Sequence, residues 1–244
     1  MEKPLIQFID VKKSFGSIHV LKGICLSIFK GEIVAIIGKS GIGKSVLLKH
    51  IIGLIKEDSG KILINGIEKL SSYQDKTFKK KLSYMFQDNA LFDFLNIFDN
   101  IALPLKENSS FPKEQIKSKV EKLMNQLGLE KTKEKFPAQL SGGMRKRAAF
   151  ARALVVDPEI VLFDEPTTGL DPVRKQDVHS MIKDYQKEFS FTCVIVSHDI
   201  PAIFDVAQRV AMLDDGVIKF EGNKEDILKS DNQVLNSFIK GKSS

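Results

Sequence analysis

The stretch EIVAIIGKSGIGKSVLLKHII, Glu32 to Ile52, constrains the fold more than any other part of the chain. A run of β-formers stops at glycine punctuation and apolar residues resume at helical spacing from Lys44, so the order is strand, loop, helix. The loop, Gly38 to Ser45, spells G-x-x-x-x-G-K-[ST] in the setting that this pattern requires. Small residues let successive backbone N–H groups converge on phosphate oxygens at a helix N-terminus, whose dipole favours anions. Gly38, Lys39, Ser40, Gly41 and Gly43 form a candidate phosphate cradle. Lys44 would reach the β- and γ-phosphates, and Ser45 would offer its hydroxyl to magnesium. A plain glycine-rich turn is the alternative, and the flanking strand and helix argue against it.

The remainder of the chain alternates strand and helix signals around this unit. LIQFIDVKKSF and GICLSIFKGEIVAIIG read as strands, the second ending in glycine punctuation, and GKILINGIEKL as a short strand running into an Asn-Gly turn. Between Phe111 and Leu129, the residues Ile116, Val120, Leu123, Met124 and Leu127 share one helical face, with Gly128 at the C-cap position. EIVLF and FTCVIVS are continuous apolar runs of the kind strands adopt when helices cover both faces. RVAMLDDGVIKFEG reads as a hairpin turning at Asp215-Gly216, and the closing segment as short helix. With 244 residues, the expectation is one α/β domain with a helical insertion.

Cys25 and Cys193 lie in strand-like runs and suggest neither a disulfide framework nor a metal cluster, which fits a reducing compartment. The net charge of +6 permits contact with anionic lipid or nucleotides, yet scattered lysines produce the same total; nucleic acid is not an expected partner. The Lys79–Lys81 basic patch reads as an exposed loop. No apolar run reaches membrane-span length and MEKPLIQFID lacks a signal-peptide core, so a soluble chain able to dock on a membrane protein is expected.

IVLFDEPTTGLD offers the second half of a site. Its strand should end at Phe163 and present Asp164 and Glu165 at the carboxyl edge, where open parallel sheets bind ligands. Neighbouring carboxylates there point in different directions, which permits a division of labour. Asp164 can hold magnesium through its waters, and Glu165 can polarise the water attacking a γ-phosphate. His198, ending CVIVSHD, is a candidate γ-phosphate sensor or an ordinary polar cap. LSGGMRKR, Leu140 to Arg147, looks like a second anion site, with a helix expected to begin near Met144.

Taken in order, GKSGIGKS, Gln87 in YMFQD, LSGGMRKR, VLFDEP with GLD at Gly169–Asp171, and His198 resemble the nucleotide-binding subunit of ABC transporters over nearly the whole chain. The resemblance implies a P-loop NTPase (RecA-like) core with an antiparallel β subdomain and an inserted α-helical subdomain. Residues 1–87 and 154–244 would form the nucleotide-binding core of a single ABC ATPase domain, and 88–153 the insertion with the signature motif. It also implies that the substrate is ATP with Mg2+, that Phe15 stacks on adenine and that Gln87 links the metal site to a membrane partner. Asp171 would lie between paired sites and His198 would contact the γ-phosphate. Ser141, Gly142 and Gly143 would cap the nucleotide held by a second copy, which explains why one chain carries two anion sites.

LSGGMRKRAAFARAL, FQDNALFDFLNIFDNIALPL and FDEPTTGLDPV further resemble the Mla-type ATPases that power MCE phospholipid transport. Many family members carry glutamine where this chain has Met144, so a hydrogen bond made there must be dispensable. The Phe86–Leu105 region would receive a permease, with an MCE-type lipid-binding protein in the same complex on the cytoplasmic face of the inner membrane. Leu91, Phe92, Phe94, Leu95 and Phe98 could equally be insertion core or docking groove. Amino-acid import, lipoprotein release, a soluble non-transport ABC protein and a P-loop kinase are the competing readings. The kinase reading leaves LSGG and GLD unexplained.

Overall fold

A computed structural model describes residues 3–69, 81–85, 90–107 and 111–239. Its first sheet joins β1 (Ile6–Phe15), β2 (Ile18–Ile28), β4 (Ser59–Ile64) and β5 (Ile67–Glu68) in the order β2-β1-β4-β5, all antiparallel. The second sheet has the order β10-β9-β3-β8-β7-β6. Here β3 (Ile33–Ile37), β6 (Leu82–Met85), β7 (Ile160–Asp164), β8 (Thr192–Ser197) and β9 (Arg209–Asp214) run parallel, and β10 (Val217–Gly222) returns antiparallel on β9.

The apolar runs of β3, β7 and β8 are buried because successive side chains enter two different cores. Ile33, Ala35, Ile37, Val161, Phe163, Cys193 and Ile195 pack into one cluster, and Val34, Ile36, Ile160, Leu162, Val194 and Val196 into the other. A slip of one residue would exchange the two sets, so register is strongly specified. That register aligns Ile37 with Ser197 and Asp164 with Val196, which brings the carboxyl ends of β3, β7 and β8 together.

One core is closed by the antiparallel sheet and by α1 (Lys44–Ile51), whose Leu47, Leu48 and Ile51 are buried in it. The other is closed by helices. Between β6 and β7 the chain forms α2 (Ile97–Glu107), α3 (Lys113–Gln126) and α4 (Gly142–Leu154), and α2 packs on both of the others. The face read from Ile116, Val120, Leu123, Met124 and Leu127 is buried, and Gly128 follows with φ 62°. α5 (Pro172–Phe189) lies between β7 and β8, and the chain ends in α6 (Lys224–Lys229) and α7 (Gln233–Ile239).

Three sequence expectations change in detail. β7 includes Asp164 because that residue still pairs with Val196. α4 starts at Gly142, two residues before Met144, because Ser141 Oγ accepts the Met144 amide and makes Ser141 the N-cap. The apolar cluster ahead of α2 divides. Leu91 and Phe98 pack against the helical core while Phe92 and Phe94 stay exposed. Buried Asn100 imposes this split, since its Oδ1 accepts the Phe92 amide and its Nδ2 donates to the carbonyls of Phe92, Leu95 and Asn96. Gln87 and Phe86 lie outside the described residues, as does most of the Lys79–Lys81 patch. No helix among the described residues is long and apolar enough to cross a membrane.

Candidate functional site

The Gly38–Ser45 loop leaves β3 and enters α1 with two glycines that tolerate no side chain. At Gly38, φ 154°, a Cβ would sit 2.4 Å from the Leu213 carbonyl oxygen; at Gly43, φ 109°, it would sit 2.5 Å from Val20 Cγ1. The loop curls around Lys44, which is buried and donates from Nζ to the carbonyls of Gly38 (2.9 Å) and Lys39 (3.0 Å). α1 has no acidic residue in its first turn, so the positive end of its dipole is uncompensated.

Next to the loop, Ser45 Oγ donates to Asp164 Oδ1 at 2.7 Å, and the Tyr84 hydroxyl donates to Asp164 Oδ2 at 2.6 Å. Burial, with Asp164 beside it, pushes the Tyr84 phenol pKa up, so the hydroxyl stays a donor. A serine hydroxyl and a carboxylate oxygen within one coordination sphere form a hard-oxygen pair that fits Mg2+. Among the described residues no group of three or more His, Cys, Asp or Glu could hold a metal. A cation here would draw its remaining ligands from water and phosphate, as Mg2+ does.

Glu165 follows directly and adopts φ 51°, a left-handed conformation that costs a non-glycine residue about 1–3 kcal/mol and persists only where surroundings over-determine it. Those surroundings are visible. The Glu165 amide donates to the Val196 carbonyl (3.0 Å), Oε2 lies 2.7 Å from His198 Nδ1 and accepts from Thr168 Oγ1 at 3.4 Å, and Oε1 is 3.4 Å from Lys44 Nζ. The carboxylate therefore joins the loop, the β7 edge and the β8 edge.

Phe15, at the end of β1, is 47% exposed with Lys13 Nζ 5.5 Å from its ring centroid. Asp58 pins this segment by accepting from Lys13 Nζ and the Ser14 amide, both at 2.7 Å. Asp171 caps α5 by accepting the Arg174 amide at 3.0 Å.

Glu165 thus links Lys44 to His198, and the adjacent Asp164 is bonded to Ser45. Ser141, Gly142 and Gly143 are not joined to them by any hydrogen bond or ion pair among the described residues. Ser141 is exposed at the tip of α4, and a Cβ on Gly142 or Gly143 would meet nothing within 4 Å. Met144 sits half-buried against the helical core. Three neighbours escaped sequence reading: Tyr84, Thr168 and Lys146. Lys146 Nζ donates to the Pro166 carbonyl at 2.6 Å and has its pKa lowered by burial. Tyr84 sits in an apolar strand and Lys146 in a basic run, and only the pairing of β6 with β7 and the packing of α4 give them partners.

A family model described as ABC transporter matches residues 21–168, more than half of the chain. The chain is 36% identical over 239 residues to the intermembrane phospholipid transport system ATP-binding protein MlaF of Escherichia coli K12, covering 97% of this chain and 89% of that protein. It is 38% identical to the probable ribonucleotide transport ATP-binding protein mkl of Mycobacterium leprae, covering 98% of this chain and 70% of the relative. Among solved structures, cbiO1 from Clostridium perfringens, part of the ABC transporter complex cbiONQ, superposes with a TM-score of 0.85 at 28% identity, over 97% of this chain and 95% of that one. With a glycine loop around a buried lysine, a Ser–Asp oxygen pair and a strained glutamate on the same sheet edge, this chain belongs to the ABC transporter family and is an ATP-binding, ATP-hydrolysing subunit.

Proposed function

We propose that the chain powers phospholipid movement as a pair of identical subunits docked on a permease at the cytoplasmic face of the inner membrane. The observation that carries the pairing is the bare signature tip: Ser141, Gly142 and Gly143 are exposed, with open space where Cβ atoms would go. Nothing among the described residues demands glycine there, so the demand comes from what approaches the tip. A γ-phosphate held by the loop of a second copy, at the positive end of α4, supplies it. One domain, with residues 88–153 as its helical insertion, then contributes half of each of two sites.

In each site, the amides of Gly38–Gly43, including those of Lys39, Ser40 and Gly41, and the Lys44 ammonium hold the phosphates, and Phe15 stacks on adenine. Ser45 and Asp164 would hold Mg2+, joined by Gln87, and Tyr84 orients Asp164. When bound, the metal neutralises charge on β- and γ-phosphate oxygens. Glu165 accepts a hydrogen bond from the attacking water and takes its proton. His198 donates from Nδ1 to Glu165, and with both ring nitrogens protonated it can donate from Nε2 to the γ-phosphate. The partner's tip closes the pocket, and Asp171 lies near the seam. Hydrolysis removes the bridging phosphate and frees the pair.

The cargo assignment rests on similarity to MlaF. Purification of the chain from native membranes, followed by reconstitution into liposomes, tests it. A multi-span permease and an MCE-type lipid-binding protein should co-purify, and phospholipid should transfer only with ATP. Co-purification with an amino-acid or lipoprotein permease, or ATP-driven ribonucleotide movement without lipid transfer, overturns it.

A further inference from the structure

Asp199 follows His198 in the chain, and the side chains of Asp199 and His179 leave buried polar atoms without partners among the described residues. His179, on α5, is only 3% exposed, and among the described residues neither of its ring nitrogens has a hydrogen bond, nor does Asp199 Oδ2. His179 Nε2 and Asp199 Oδ2 lie 4.0 Å apart, just beyond hydrogen-bond range. The other Asp199 oxygen, Oδ1, accepts from Lys175 Nζ at 3.0 Å, and the Asp199 amide donates to Ser197 Oγ at 3.0 Å. Lys175 and His179 are four residues apart on α5, so they share a helical face and converge on one carboxylate. A cavity of about 410 Å³, lined by Lys175, His179, Asp199 and Pro201 among others, lies beside the pair and leaves room for the carboxylate to move.

Buried polar atoms without a protein partner call for an account, and a 4.0 Å gap between a ring nitrogen and a carboxylate oxygen beside a cavity is one that a small movement closes. We propose that Lys175 and His179 form a two-pronged clamp on Asp199, and that closure of the His179–Asp199 gap fixes the adjacent His198 in its working position. Burial, the first cause, lowers the His179 pKa, so the ring is neutral and donates one N–H to the carboxylate. Closing the gap by about 1 Å makes a charge-assisted hydrogen bond. Asp199 and His179 are therefore positioning residues that act through His198. The inference rests on the reading that His198 contacts the γ-phosphate.

Steady-state ATP hydrolysis by the full-length chain tests the clamp, with His179→Leu, His179→Gln, Asp199→Asn and His198→Ala measured together. His179→Leu and Asp199→Asn should lower kcat about tenfold, the loss expected for one hydrogen bond to a charged group, while KM for ATP stays within about twofold. His179→Gln, which keeps an N–H donor, should recover to within about threefold of the parent. If His179→Leu fails to fold, Asp199→Asn, which preserves shape, carries the same test. Full turnover by both Asp199→Asn and any folded His179→Leu, beside an impaired His198→Ala, overturns the clamp alone. A KM effect without a kcat effect, or a Gln variant as impaired as Leu, also overturns it. Full turnover by His198→Ala removes the reading of His198 and the clamp with it.

Discussion

His198 Nδ1 and Glu165 Oε2 lie 2.7 Å apart, so the residue that follows β8 is tied to the residue that follows β7. Glu165 also faces Lys44 and Thr168, and its left-handed backbone is held by the Val196 carbonyl. A carboxylate gripped from three sides is pre-organised for one direction of approach, which is what positioning a water requires.

Glu165→Gln keeps the shape of this arrangement and removes the base. ATP binding should persist, hydrolysis should fall by about 100-fold or more, and the chain should elute as a dimer on sizing chromatography with ATP present. Wild-type turnover by the variant would remove Glu165 as the base.

The parts of this site legible in the sequence are those built from contiguous residues. The loop, its flanking strand and helix, and the Asp164-Glu165 pair announce themselves because their chemistry depends on local spacing. Tyr84 and Lys146 do not, since their partners come only with tertiary structure, and Thr168 and Asn100 do not because the loop conformation, not residue spacing, brings their local partners within reach. The α2 helix was similarly obscured, with Pro104 inside it and an apolar content that does not distinguish buried from exposed faces. Asn100 decides that question through four hydrogen bonds that no periodicity reveals.

Tyr84→Phe removes the hydroxyl that holds Asp164 Oδ2 at 2.6 Å. The Ser45 contact to Oδ1 remains, so the carboxylate keeps one anchor and loses the one that sets its rotation. The Mg2+ concentration giving half-maximal hydrolysis should rise about tenfold or more, in line with the loss of a partner that orients a metal ligand. Folding stability should fall by only about 1 kcal/mol. Titration of activity against Mg2+ and thermal melts read the two effects separately.

Acid should weaken the fold through two buried histidines. Burial is the leading cause that lowers the pKa of both His50 and His179 below the ordinary value of 6.5. The unfolded chain then binds protons at a higher pH than the folded one. Stability is fully present above about pH 6.5 and is lost as pH falls toward the depressed folded values. The melting temperature should therefore decline between pH 7 and pH 5, with a shallower slope in His50→Gln and His179→Gln. An unchanged slope in both variants would assign the acid sensitivity to other groups.

The bare tip at Ser141–Gly143 allows stability and function to be moved in opposite directions. Gly143 lies in the first turn of α4 with open space around it, so Gly143→Ala should raise stability by about 0.5 kcal/mol because glycine is the poorer helix former. Hydrolysis should nonetheless fall if the pairing proposed above holds, since the added methyl group would stand where a second copy's nucleotide is proposed to bind. Mixing separates this from a fault within the chain. Lys44→Ala cannot hold nucleotide and Ser141→Ala cannot cap it, so each alone should be inactive. A mixed pair has one site with an intact loop and an intact tip, and activity should reappear as the two are combined in equal amounts. Mixed dimers that form yet hydrolyse nothing would mean either that loop and tip do not meet across the seam, or that one complete site cannot fire alone. A tandem fusion carrying both defects in one half, with the other half intact, divides those outcomes. That fusion completes neither site in the trans arrangement and should be inactive, whereas sites closed within each half would leave it about half as active as the parent.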